Sequence, residues 1–92
     1  MLFTRAKFSF QPKWKEELVC STPWAIFTVE LTMGVLHVYF PDEAKWKKAL
    51  PEHLHAKWGE VVQELERWCK KESIPLSLVP DAWIELHGEE KA

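Results

Sequence analysis

The sequence predicts a two-layer α+β fold: an antiparallel sheet of three to five strands, built as a hairpin meander, covered by one short and one long amphipathic helix. Three observations predict it. Ala6, Phe8 and Phe10 alternate with Arg5, Lys7 and Ser9, the period of a strand with one wet face. From Trp24 to Phe40 two alternating runs meet about Gly34 and read as a hairpin. Leu54, Trp58, Val61, Val62, Leu65, Trp68 and Cys69 recur every three or four residues, which makes one continuous helical stripe. Strands first and helices after them give separate layers rather than alternating βαβ units.

The first strand closes at Gln11 and Pro12. Leu18, Val19 and Cys20 suit a second strand, read as an edge because Glu16 and Glu17 interrupt the alternation before it, and Ser21, Thr22 and Pro23 form the next turn. With Met33 and Gly34 as a two-residue loop, Leu31 faces Leu36, Val29 faces Val38 and Phe27 faces Phe40 on the apolar side. Glu30 then faces His37, and Thr28 faces Tyr39, on the other side. Because Met resists the positive φ of such a turn, a longer loop around Gly34 stays open as the alternative.

Pro41 stops the sheet, and Asp42 is placed to cap a short helix to Leu50, with Trp46 and Leu50 one turn apart. After Pro51 the long helix runs from Glu52 to Lys71. Gly59 inside it is costly by ~1 kcal/mol relative to Ala, and suggests a close approach of another group. Ser73, Ile74 and Pro75 end the helix, and Leu76, Leu78 and Val79 run extended to Pro80. Residues 81–86 fit either a helical turn or a last strand. The expected organisation is a single domain over 1–88 and a polar tail over 89–92.

At 92 residues, with 47% hydrophobic and 28% charged, the chain has the composition of a packed globular domain. Six tryptophans, each able to bury ~150–250 Å², supply much of its core. A net charge of −2 excludes a bulk electrostatic attraction to nucleic acid or anionic membrane. Residues 1–10 lack the apolar run of a secretory leader, and Glu30 and His37 break the longest apolar stretches, so no membrane span is expected. Cys20 and Cys69 read as buried free thiols, and a cytoplasmic location follows.

No residue set points to a catalytic, cofactor or metal site. Glu30 beside His37 could serve a small acid/base enzyme, since a carboxylate raises and orients an imidazole, although it is equally an ordinary cross-strand pair. His53 and His55 point about 200° apart on a helix and cannot share one metal. Cys20 as a nucleophile lacks the following glycine-rich turn or helix start that would hold an oxyanion. Phe3, Phe8, Phe10 and Trp14 interleave with Arg5, Lys7, Lys13 and Lys15, a pattern used on single-stranded nucleic acid, but strand alternation accounts for it as well.

Trp14, Trp24, Trp46 and Trp83 fall outside the obvious core stripes, and Ile26 lies on the polar sheet face. Tryptophan is enriched where proteins grip one another. The leading expectation is therefore a non-enzymatic protein-interaction module, such as a small inhibitor, adaptor or accessory subunit. Its contact residues would be Trp24, Ile26, Thr28, Glu30, His37 and Tyr39, with Trp14 and Trp46. The partner would be another protein, a second copy of the chain included, with no membrane and no cofactor.

Overall fold

The computed structural model describes residues 8–13 and 15–89. Trp14, Phe3, Arg5, Ala6 and Lys7 lie outside the described residues. The strands are β1 (Ser9–Lys13), β2 (Glu17–Ser21), β3 (Ala25–Thr32), β4 (His37–Pro41), β5 (Leu76–Val79) and β6 (Ile84–Glu89). Helix α1 (Glu43–Ala49) and helix α2 (Trp58–Glu72) are joined through a 3-10 segment at Glu52–Lys57. The fold is the expected α+β class, with a sixth strand supplied by the C-terminal segment whose conformation the sequence left open.

The first four strands form an antiparallel meander, β1 beside β2, β2 beside β3, β3 beside β4. Two expectations about its start are corrected. Pro12 lies within β1 rather than ending it, which an outermost strand tolerates because part of its backbone needs no partner. β2 is not an edge, since β1 covers its other side.

The hairpin register is also corrected. Glu30 pairs with Tyr39, Leu31 with Val38 and Thr32 with His37, so Met33 to Leu36 make up the turn. A shift of two residues leaves every side chain on the face that parity assigns, so burial alone cannot choose between the registers. Turn chemistry chooses. No glycine has positive φ, and Thr32 closes the wider loop by donating its hydroxyl to the Val35 carbonyl at 2.6 Å.

Beyond Glu30 the sheet forks. β6 takes the remaining edge of β3, pairing Val29 with Ile84, Thr28 with Glu85 and Phe27 with Leu86. The expected ladder partners Val29–Val38, Thr28–Tyr39 and Phe27–Phe40 are thereby replaced, although the Phe27 and Phe40 rings still meet at 6.2 Å. β4 meanwhile pairs in parallel with β5, which the two helices connect to it as a crossover.

Helix α1 begins where Asp42 accepts a hydrogen bond from the Lys45 amide at 2.9 Å. Its buried face carries Trp46, which packs edge-on against Phe27 at 5.5 Å and donates its indole N–H to the Leu54 carbonyl at 2.8 Å. Val61, Val62, Leu65 and Cys69 of α2 bury the stripe read from the sequence. Gly59 makes no close approach, since a Cβ there would meet open space; it stands in the first turn, just after the 3-10 segment. The helix ends on Ser73 in the left-handed region, with the Ile74 amide returning to the Cys69 carbonyl at 2.9 Å.

Candidate functional site: the open face of the sheet

Alternation divides each strand. Phe10, Cys20, Phe27, Val29, Leu31, Val38 and Phe40 turn to the helices and join one hydrophobic cluster with Trp46, Leu54 and Leu65. The opposite face belongs to the even-numbered residues of β3 and their neighbours, and among the described residues it carries no helix.

Three rows cross that face. The first runs Lys13, Glu17, Glu30, Tyr39 and Ser77. Glu17 directly opposite Glu30 is a like-charge pair of the kind that weakens a sheet, and Lys13 on the next strand offsets it. His37 stacks on Tyr39 with centroids 4.4 Å apart and planes 14° apart, and its Nε2 shares a hydrogen bond of 2.8 Å with the Ser77 hydroxyl. The imidazole is thus held from two sides, by the stacked phenol ring and by Ser77.

The second row runs Gln11, Val19, Thr28 and Glu85. Thr28 faces away from the helices yet is only 2% exposed. The register of β6 shifts between Ile26 and Phe27, which brings His87 over Thr28 so that its Nε2 and the threonine hydroxyl share a hydrogen bond. The third row runs Ser9, Ser21, Ile26 and Gly88. Gly88 offers no side chain to cover its neighbour, and Ile26 is left 44% exposed.

Of the residues that the sequence nominated for contact, Ile26, Glu30, His37 and Tyr39 share this face. Thr28 lies on it but is covered by His87. Trp24 departs from the alternation: it lies just ahead of β3, packs against the core with Phe8 at 5.6 Å, and has the Lys57 ammonium over its ring at 4.7 Å. Trp46 is a correction. It is 1% exposed and forms part of the core, because the helix capped by Asp42 turns it inward with Leu50 while Lys47 and Lys48 remain exposed.

The Glu30–His37 dyad is corrected as well, since Tyr39 stands opposite Glu30 and His37 is engaged with Ser77. Phe10 is buried against Trp68 at 5.8 Å and Phe8 packs on Trp24, so these two rings of the basic N-terminal pattern serve the interior. Ser77, Glu17 and His87 were missed. Alternation in Leu76–Val79 does put Ser77 opposite the leucines, but nothing local says that it pairs beside Tyr39.

Cys20 and Cys69 are buried free thiols. Burial pushes the Cys20 thiol far up, with Cys69 adding to the effect; burial and the Glu66 carboxylate push Cys69 up to about 11. Both are protonated and poorly nucleophilic at neutral pH. His55 donates to the Leu50 carbonyl at 2.8 Å and so serves the local backbone. Among the described residues no group of three or more His, Cys, Asp or Glu is placed to hold a metal ion, and no helix is long and apolar enough to cross a membrane. No family model matches the chain, and searches of curated proteins and of solved structures find no match either.

Proposed function

We propose that this chain is a non-enzymatic protein-interaction module of the cytoplasm, a small inhibitor, adaptor or accessory subunit that grips another protein through the open face of its sheet. The observation that carries the reading is the stacked His37–Tyr39 pair, held by Ser77 at the β4–β5 side of a face on which Ile26 is an exposed apolar side chain. Side chains already fixed in the free protein lose little entropy on binding, and Tyr offers both ring and hydroxyl to a partner. Glu17, Glu30 and Glu85 outnumber Lys13 on the same face, so the complementary surface carries basic side chains around an apolar one that covers Ile26.

The test is a native pull-down with the immobilised full chain beside an Ile26→Asp, Tyr39→Ala double variant. The expected result is a saturable partner that the double variant loses by about tenfold or more in affinity, roughly 1.4 kcal/mol, with the circular dichroism spectrum unchanged. Recovery of the same proteins by both chains, or of none by the wild type, overturns the reading.

A further inference from the structure

The sheet ends in unlike ways on its outer strands. β1 carries Pro12 and Lys13, and β6 carries Glu85, Gly88 and a register shift, all devices that discourage another strand from pairing. β5 is Leu-Ser-Leu-Val, with no charge, proline or bulge inside it, and no described strand on its outer side.

Its hydrogen-bonding pattern is fixed by β4. Val38 donates to the Pro75 carbonyl at 2.9 Å and Asp42 to the Val79 carbonyl at 3.1 Å, so the odd-numbered residues turn their backbone groups inward. Leu76 and Leu78 therefore present both N–H and C=O outward. Leu78 is also 40% exposed. Beside Leu76, between β5 and the end of α2, lies a shallow groove of about 320 Å³ lined by Glu66, Cys69, Lys70, Ile74 and Leu76.

We infer that this edge seats a second copy of the chain, two β5 strands pairing antiparallel about a two-fold axis through Ser77. Directly opposed residues must share a sheet face, and bonded pairs must use the residues whose groups point outward. Centring on Ser77 meets both demands. Leu76 then exchanges both backbone hydrogen bonds with the partner's Leu78, and the reciprocal pair repeats them, roughly four bonds in all. Centring on Leu78 instead would set Leu76 against the partner's Pro80, which has no N–H. The groove rim supports a second copy over a uniformly charged partner: Glu66 and Lys70 lie one turn apart, and the two-fold reverses their order so that acid meets base. The product is a sheet of doubled width whose two open faces lie side by side, an inference independent of what binds those faces.

Sedimentation equilibrium of the full chain should give twice the 10.9 kDa chain mass. Leu78→Lys should weaken the dimer by about tenfold or more with an unchanged circular dichroism spectrum. Ser77→Cys reads the register, because non-bonded antiparallel partners stand about 4.5 Å apart at Cα, within disulfide reach, so this variant should cross-link on oxidation. Leu78→Cys should not. The Ile26→Asp, Tyr39→Ala variant should still dimerise, which separates this edge from the open face. A monomer at millimolar concentration, a dimer indifferent to Leu78→Lys, or one that fails to cross-link through Ser77→Cys overturns the inference. Monomers that instead take up an isolated extended peptide would assign the edge to a strand of another protein, and overturn it too.

Discussion

The two faces of β3 are built from alternate residues of one eight-residue strand and obey different rules. On the covered face Ala25, Phe27, Val29 and Leu31 are all buried, and each is apolar. On the open face Ile26 is exposed, Glu30 and Thr32 are half-buried, and Thr28 alone is fully buried, with a hydrogen bond to His87. Apolar burial on one side needs no particular partner, only volume to fill. Burial of a hydroxyl on the other needs a specific group at a specific place. The covered face therefore accounts for stability, and the open face is free to carry recognition.

The sharpest way to break this division is at Trp46, whose indole contacts Phe27 and Phe40 and bonds the Leu54 carbonyl. Trp46→Ala should cost about 3–5 kcal/mol in chemical denaturation, through lost apolar area and an unfilled cavity. A loss below about 1 kcal/mol would mean that the covered face does not govern stability.

A second test of the covered face uses pH. Cys69 keeps its proton in the folded chain up to about 11, whereas an ordinary thiol, at 9.0, gives it up earlier. Between those values the folded state binds more protons than the unfolded one, so stability falls as pH rises, by at most about 1.4 kcal/mol per pH unit from this group. Below pH 9 its contribution is fully present. Cys69→Ala should flatten part of the alkaline limb of a stability-against-pH curve, and an unchanged limb would show that the thiol is not held in an apolar site.

Parity was legible in the sequence, and partnership was not. The alternation of Phe27, Val29 and Leu31, and the stripe through Val61, Leu65 and Cys69, assign the covered face correctly because burial follows local period. The hairpin register escaped because a shift of two residues satisfies the same parity and only the turn decides it. Thr28 and His87 are 59 residues apart, and their hydrogen bond depends on β6 entering a fork that no local pattern announces. Trp46 was misplaced for another reason. It lies outside the stripe of the long helix, whereas its spacing from Leu50 on a capped helix already pointed inward.

On the open face, Thr28 offers an intermediate effect. Thr28→Val keeps a β-branched side chain and removes the hydroxyl, while His87, being exposed, can turn to water. The expected loss is about 1 kcal/mol. A gain in stability would show that the hydroxyl is buried without benefit, and that β6 is held by its backbone pairing alone.

The smallest effect is expected at Ile26, and it bears most directly on function. Its neighbours across the sheet are Ser21 and Gly88, so Ile26→Thr keeps the strand-favouring branch, opens no cavity and should change stability by no more than about 0.5 kcal/mol. If the open face exists for recognition, the same substitution should nevertheless weaken partner capture, because the apolar centre of an interface governs affinity out of proportion to its share of the fold. A large loss of stability with capture intact would reverse the argument: Ile26 would then be covered in solution, and the face would belong to the protein's own packing.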